Sequence, residues 1–187
     1  MREAAAGCRG CDLWRPATQT VFGEGPHDPD LVLVGEQPGD REDIEGHPFV
    51  GPAGHVLDVA LERAGLDKKH IYKTNAVKHF RFKVRGKRRL HEPPLRSHVV
   101  ACQPWLRAEI EILSPPLLVL LGAVAAQSLL GREFKVSRQR GLVENPGLPP
   151  IIATVHPSSV LRAPDDERKE RMDEFVADLE LARRILP

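Results

Sequence analysis

Four short apolar runs, with helical segments between them, constrain the fold of this chain more than any other feature. They occupy residues 31–34 (LVLV), 71–74, 117–121 and 151–155. Uninterrupted apolar runs of this length are typical of strands buried on both faces, and such strands occur mainly in parallel sheets. The sequence therefore predicts an α/β fold with three layers, in which helices cover both faces of a central four-stranded parallel sheet.

Helical periodicity fills the intervals between these runs. Apolar residues recur at helical spacing over residues 54–64, 96–113, 123–130 and 167–185. The longest segment without apolar periodicity is 81–94, which we predict to be a mobile surface loop. A length of 187 residues suits a single domain spanning residues 1–187. We expect this domain to be a monomer.

Charge and hydropathy narrow the classes of function. No stretch approaches the roughly 20 apolar residues that a bilayer span needs, and the N-terminus lacks a secretory apolar run. We therefore expect a cytoplasmic protein with no membrane partner. The net charge is only +1, yet residues 73–89 hold eight basic residues and no acidic one. This local charge predicts an anionic partner. The absence of a GxGxxG motif and of a P-loop lysine disfavours a Rossmann-type nucleotide enzyme.

Polar residues follow three of the four predicted strands. The loop GEQPGD (35–40) follows the first, Asn75 follows the second, and HPSS (156–159) follows the fourth. Ligands of open parallel sheets bind beyond the carboxyl ends of the strands. Gly35 and Gly39 would let the backbone approach a ligand closely. The sequence therefore predicts one site that combines carboxylate, carboxamide and imidazole groups.

Four motifs occur in the order found in the uracil-DNA glycosylase superfamily. They are GEQPGD (35–40), GHPFVGPAG (46–54), TNAVK (74–78) and HPSSVLR (156–162). The chain resembles the iron-sulfur branch of this superfamily, and within it the uracil-binding UdgX group. Gln37 in place of the usual alanine and the insert GKRRLH (86–91) carry that finer likeness, although Leu90 replaces the usual isoleucine. The resemblance implies a uracil-DNA glycosylase-like fold.

The resemblance also implies that DNA containing uracil, single- or double-stranded, is the substrate. An enzyme that acts on a base takes it out of the stack and reads its Watson–Crick edge. Asn75 would read the base, because its carboxamide matches the O4 and N3–H groups of uracil and mismatches the amino group of cytosine. Phe49 would stack on it. The plainer alternatives are an asparagine that caps a turn and a core phenylalanine.

Cleavage of the N-glycosidic bond requires stabilisation of charge on both the sugar and the base. His156 resembles the family histidine that hydrogen-bonds the departing base, with a turn-capping role as the alternative. Glu36 is the candidate carboxylate for the cationic sugar or for placing water, and Gln37 and Asp40 line the same loop.

The residues after His156 resemble the loop that the family inserts into DNA. Leu161 or Arg162 would fill the gap left by the flipped base. We also expect Gly35 and Ser158 to contact the substrate. An ordinary exposed leucine is the alternative interpretation of Leu161.

His91 is the predicted nucleophile, because the corresponding histidine of UdgX forms a covalent adduct with C1′ of the sugar. A positioned imidazole nitrogen competes with water for such a cation. Arg89 would hold the loop while Lys87 and Arg88 neutralise phosphates. The alternatives are a hydrolytic family 4-type glycosylase with Glu36 orienting water, and a non-catalytic iron-sulfur DNA-binding module. In either case the basic run would only contact phosphates.

Three cysteines make a metal centre a further expectation. Cys8 and Cys11 have the CxxC spacing that presents two thiolates to one metal. In the iron-sulfur branch a third ligand follows TNAVK and the last precedes PWL, positions occupied here by His79 and Cys102. The resemblance therefore implies a structural [4Fe-4S] cluster with three cysteines and one histidine. Zinc is the less favoured metal, and free thiols are the alternative.

Overall fold

A central sheet organises the computed structural model, which describes residues 1–186. Across that range the strands are β1 (Leu31–Gly35), β2 (Ile71–Asn75), β3 (Phe82–Arg85), β4 (Arg88–His91), β5 (Leu118–Leu121), β6 (Gly141–Val143) and β7 (Ile151–Thr154). The α-helices are α1 (Arg2–Ala6), α2 (Asp40–Glu45), α3 (Pro52–Arg63), α4 (Arg96–Leu113), α5 (Ala123–Leu130), α6 (Val136–Gln139), α7 (Ser158–Arg162) and α8 (Arg168–Ile185).

The sheet has five strands in the order β2-β1-β5-β7-β6. The first four are parallel to their neighbours, as the apolar runs predict. The prediction of four strands is wrong by one, because β6 adds to β7 as an antiparallel edge. This strand is three residues long and none of them is fully buried, so it leaves no apolar run in the sequence.

Two apolar layers enclose the sheet, as expected for strands buried on both faces. Alternate residues of β1 point to opposite sides because side chains alternate along a strand. Leu31 and Leu33 pack with residues of α3 and α8, whereas Val32 and Val34 pack with residues of α4 and α5. The predicted three-layer α/β/α architecture is therefore confirmed.

The helix predictions agree closely with the structure. The predicted ranges 96–113 and 123–130 match α4 and α5, and the predicted starts of α3 and α8 differ by one or two residues. α3 begins at Pro52, where a proline costs no hydrogen bond. Within residues 1–186, no helix combines the length and the apolar character that a membrane crossing needs.

The predicted irregular loop at 81–94 is wrong in its secondary structure. β3 and β4 pair antiparallel as a hairpin, from Phe82 opposite His91 to Arg85 opposite Arg88. The turn contains Gly86 with φ 60°, a conformation that glycine adopts without strain. A two-stranded ribbon outside the sheet buries little surface, and its strands therefore carry charged residues instead of an apolar pattern.

The buried sheet predicts a difference between two leucine truncations. Leu33 is fully buried, so Leu33→Ala should lower the free energy of unfolding by about 2–5 kcal/mol. Leu142 on β6 is 51% exposed, and Leu142→Ala is the matched control with an effect within about 0.5 kcal/mol. Chemical denaturation measures both variants. Equal losses would contradict the assignment of β1 to the core.

Candidate functional site

Residues that follow β1 and β2 meet at the carboxyl end of the sheet. Gly35 lies so close to the Asn75 carboxamide and the Phe49 ring that a β-carbon at position 35 would collide with both. Asn75 is 4% exposed and Phe49 is 8% exposed. The structure therefore brings together three of the predicted substrate-binding residues, with glycine making the close approach possible.

Phe49 has an unusual backbone, with φ 59°. A bulky residue in the left-handed region is strained, and such strain collects at ligand sites. Gly54 in α3 packs directly on the Phe49 carbonyl, where a side chain would clash. The motif GHPFVGPAG thus fixes the ring next to Gly35, a geometry that spacing alone does not reveal.

Glu36 directs a carboxylate oxygen toward the hairpin. Its Oε1 lies 3.3 Å from His91 Nε2, a distance compatible with an ion pair when the histidine is protonated. The geometry makes no hydrogen bond, so this buried oxygen has no partner among residues 1–186. Buried polar atoms are normally paired, and an orphan of this kind is explained by a ligand or by a water. Glu36 and His91, two of the predicted catalytic residues, are therefore adjacent in space.

Gln37 joins β1 to the base of the hairpin. Its Nε2 donates to the carbonyl oxygens of Arg81 (3.2 Å) and Glu92 (2.9 Å), and its Oε1 accepts from the Arg81 amide at 3.1 Å. The same Nε2 lies 3.0 Å from His91 Nε2. Gln37 is 7% exposed, so these bonds replace solvent contacts. The side chain that distinguishes GEQPG from GEAPG therefore positions His91.

Arg89 links the hairpin to α2 through hydrogen bonds to two carboxylates. Its Nε donates to Asp40 Oδ1 and its Nη1 to Asp43 Oδ2, both at 2.6 Å. The guanidinium also lies over the Phe82 ring, 5.0 Å from its centroid. Asp40, which the sequence places in the catalytic loop, thus binds Arg89 beside the site, and its catalytic role stays a prediction. Sequence reasoning missed Asp43, although the acidic run DRED was its signal.

His156 is held as a neutral imidazole. The Ser158 backbone amide donates to Nδ1 at 3.2 Å, and Ser158 Oγ lies 2.9 Å from the same atom. An amide N–H can only donate, so Nδ1 is the acceptor and Nε2 carries the proton. Burial lowers the pKa of His156 to about 4, while the nearby Glu36 carboxylate acts in the opposite direction. The residue therefore presents a neutral N–H donor at neutral pH.

The remaining predicted DNA contacts lie on the surface. Arg162 ends α7 and is exposed, and Leu161 beside it is 40% exposed. On the hairpin the exposed cations are Lys83, Arg85, Lys87 and Arg88. The structure therefore places positive side chains close to the carboxyl end of the sheet, with Arg89 as the one hairpin arginine that turns inward.

The three cysteines lie near one another. The Cys102 and Cys8 thiols are both close enough to Cys11 to influence its pKa. Trp105 Nε1 donates to Cys8 Sγ at 3.3 Å. Burial raises the pKa of the Cys102 thiol to about 11. Within residues 1–186, however, no three metal-binding side chains are close enough to hold one ion.

His79 is the predicted fourth ligand, and it is 3% exposed. Its Nε2 lies 3.0 Å from Thr20 Oγ1, whereas its Nδ1 is buried without a partner in the described part of the chain. An orphaned buried nitrogen and three neighbouring thiols are the groups that would hold a metal centre.

This arrangement defines an α/β protein whose ligand site lies at the carboxyl edge of a doubly covered parallel sheet. A model of the uracil DNA glycosylase superfamily matches residues 22–180. The chain therefore belongs to the uracil DNA glycosylase superfamily.

Several relatives carry the name type-4 uracil-DNA glycosylase. The chain is 34% identical to that of Thermotoga maritima, over 98% of this chain and 92% of the relative. It is 36% identical to that of Archaeoglobus fulgidus, over 84% and 79% respectively. Identity to that of Pyrobaculum aerophilum is 33%, over 88% and 84%. The resemblance to the superfamily is thus confirmed, whereas a particular closeness to UdgX is not among these findings.

The His156 geometry predicts a pH titration. A pKa depressed to about 4 keeps the imidazole neutral from pH 8 down to about pH 5, with the proton on Nε2. Nitrogen NMR of the histidine rings measures both the tautomer and the titration. A His156→Gln variant assigns the His156 signals. Titration of His156 at about pH 6.5, the ordinary pKa of a histidine, would contradict the neutral assignment.

Proposed function

We propose that this chain excises uracil from DNA by cleaving the N-glycosidic bond. The observation that carries the proposal is the meeting of Asn75, Glu36 and His156 at one edge of the sheet, in a member of this superfamily. The names of the type-4 relatives support the activity. They favour the ordinary type-4 alternative over the covalent adduct that the likeness to UdgX predicts.

In this proposal the base leaves the DNA stack and enters beside Gly35. Phe49 offers a ring next to Asn75, so one side chain stacks on the base while the other pairs with its edge. A carboxamide supplies one acceptor and two donor hydrogens, and uracil presents the complementary O4 and N3–H groups. Cytosine presents an amino group at the O4 position, which leaves one polar group unpaired and lowers its affinity.

Charge separation in the transition state requires one group for the base and one for the sugar. As the C1′–N1 bond breaks, its electron pair leaves with uracil, and the His156 Nε2–H can donate to the anionic O2. A neutral donor stabilises this anion without having to give up its proton. The Glu36 carboxylate, with an oxygen that lacks a protein partner, stabilises the cationic sugar or orients the attacking water.

DNA binding would rest on the cationic hairpin and on α7. Lys83, Lys87 and Arg88 are exposed and suited to phosphate contacts, with Ser158 and Arg162 close to the flipped nucleotide. Because released counterions drive such binding, affinity should fall steeply as salt rises. Single-stranded and double-stranded DNA carry the same phosphate groups, so both fit this surface.

Water is the first candidate for the sugar acceptor, and it corresponds to the type-4 relatives. In this candidate Glu36 orients a water molecule, and the water attacks C1′ while the Glu36 carboxylate accepts a proton from it. The product is an abasic site, and the enzyme is free to turn over. His91 then serves only to complete the wall of the site next to Glu36.

His91 itself is the second candidate, and one observation favours it. The ring nitrogen Nε2 lies 3.3 Å from Oε1 of Glu36, the carboxylate that this proposal assigns to the sugar. Its lone pair would form the bond to C1′ as uracil leaves, and the Nδ1 proton would pass to water. This candidate joins protein to DNA and corresponds to the UdgX group.

A denaturing gel separates the two candidates. We expect wild-type protein and His91→Ser alike to release uracil and to leave DNA that alkali breaks, with no reaction on matched thymine DNA. A detergent-resistant band with wild-type protein alone would instead establish capture by His91, and the serine variant should then release uracil to water. His55→Ser is the matched control. Salt-sensitive binding without base release from any protein would contradict both candidates and favour a non-catalytic module.

We further propose that Cys8, Cys11, Cys102 and His79 hold a [4Fe-4S] cluster with a structural role. Support comes from the proximity of the thiols and from the unpartnered, buried His79 Nδ1. The site would tie the N-terminal segment to α4 and to the chain that enters the hairpin. Cluster ligation supplies folding free energy here and no step of the cleavage.

Absorbance and metal analysis test the cluster. We expect iron and sulfide with a broad visible band in the purified protein, and loss of both in Cys102→Ala. His79→Ala should shorten the lifetime of the chromophore in air, because three thiolates leave one iron exposed, whereas His55→Ala should not. Zinc in place of iron would contradict the cluster. An unchanged chromophore lifetime in His79→Ala would remove His79 from the ligand set.

A further inference from the structure

A buried ion pair lies beneath the end of β2, outside the groups that the proposed chemistry uses. Lys78 and Glu109 bind each other, and each side chain is 1% exposed. Removing two charges from water costs more than their attraction returns in many proteins, so a pair of this kind is weak ground for stability. The hydrogen-bond partners of the Lys78–Glu109 pair therefore indicate its role in the fold.

Three donors besides Lys78 bind the Glu109 carboxylate. Its Oε1 accepts from the Gly23 amide at 3.1 Å, from the Tyr72 hydroxyl at 3.0 Å and from Thr74 Oγ1 at 3.0 Å. Tyr72 and Thr74 are on β2, whereas Glu109 is on α4. The carboxylate thus fixes the last residues of β2 against the helix layer.

Lys78 completes the network at the point where the chain leaves the sheet. Its Nζ donates to Thr74 Oγ1 at 2.6 Å and to the Asn75 carbonyl oxygen at 2.9 Å, in addition to Glu109. The next amide, that of Ala76, donates to the Gly35 carbonyl at 2.9 Å. The peptide group after Asn75 is therefore held on both sides, by an ammonium and by β1.

The two faces of β2 connect this network to the base-reading group. Thr74 directs its hydroxyl into the network, and Asn75 directs its carboxamide toward Gly35 and Phe49. Neighbouring residues of a strand point to opposite faces, so a fixed backbone at Asn75 fixes the direction of its carboxamide. The next residue but one, Val77, donates to the Glu36 carbonyl at 3.0 Å and extends the same support to the catalytic loop.

We propose that Lys78 and Glu109 are positioning residues that aim the Asn75 carboxamide and thereby determine the preference for uracil over cytosine. The inference rests on the proposed function of Asn75 as the base reader. Neither side chain touches the base. Removal of the pair lets the Asn75 peptide rotate, which misaligns two hydrogen bonds that depend on direction.

The test compares uracil and cytosine at the same position of one DNA strand. Lys78→Met with Glu109→Gln removes both charges and retains the volume of both side chains. The carboxamide at position 109 can still form hydrogen bonds with Tyr72 and Thr74. We expect the ratio of single-turnover excision rates to fall by about tenfold or more, since discrimination of this kind depends on well-placed polar groups. The exposed pair Arg63→Met with Asp173→Asn is the matched control and should keep the ratio.

A second variant keeps the test valid if the double variant does not fold, as judged by circular dichroism. Thr74→Val retains both charges and removes only the hydroxyl that they share, and Thr74→Ser restores it. The ratio should fall in the valine variant and recover in the serine variant. A purely structural network would lower thermal stability and leave the ratio unchanged.

Asn75→Ala separates failure of this inference from failure of the proposed function. If that variant keeps the preference for uracil, Asn75 does not recognise the base, and the proposed function is contradicted at that residue. If Asn75→Ala loses the preference while the double variant and Thr74→Val keep it, the positioning role is overturned and the base-reading role stands.

Discussion

Burial of the central strands on both faces is the constraint on which the rest of this molecule depends. The interior positions of β1, β5 and β7 are apolar throughout, from Leu31 to Ala153, because helices exclude water on either side. A layer of this kind has no room for ionised groups that lack partners. Reactive side chains are therefore confined to the edge where the parallel strands end, and Asn75, Glu36 and His156 meet there for the same geometric reason.

The hairpin follows a different principle, because its attachment is electrostatic rather than apolar. Arg89 binds Asp43, which is fully buried, and Gln37 binds the backbone of both hairpin ends. Charge-assisted bonds of this length are strong and directional. The exposed cations are thus free for an external anion, while one arginine and one glutamine hold His91 near Glu36. The hairpin is therefore attached by polar contacts to the loop that follows β1.

Sequence reasoning predicted the parts of the fold that hydrophobic periodicity encodes. The four parallel strands and α4 and α5 follow from such patterns, and the meeting of Gly35, Asn75 and His156 follows from strand ends. The β3–β4 hairpin and β6 could not be found in this way, since exposed or very short strands bury too little to leave a pattern. Asp43 and Glu109 were missed, and Lys78 was wrongly counted among the basic residues available to an anionic partner, although it is buried against Glu109. The reason is related, because pairing of buried charges depends on three-dimensional proximity, which composition does not record.

The fate of the sugar depends on a balance that fold and family do not fix. In the proposed function, water and an imidazole are the two candidate nucleophiles for one cationic carbon, and the outcome depends on which is held at attacking distance. The names of the relatives favour an ordinary type-4 glycosylase, and the placement of His91 beside Glu36 favours capture. Both candidates assign Asn75 and His156 to the base. The proposal therefore makes the choice of product depend on a single hairpin residue and leaves the fold and the recognition of the base unchanged.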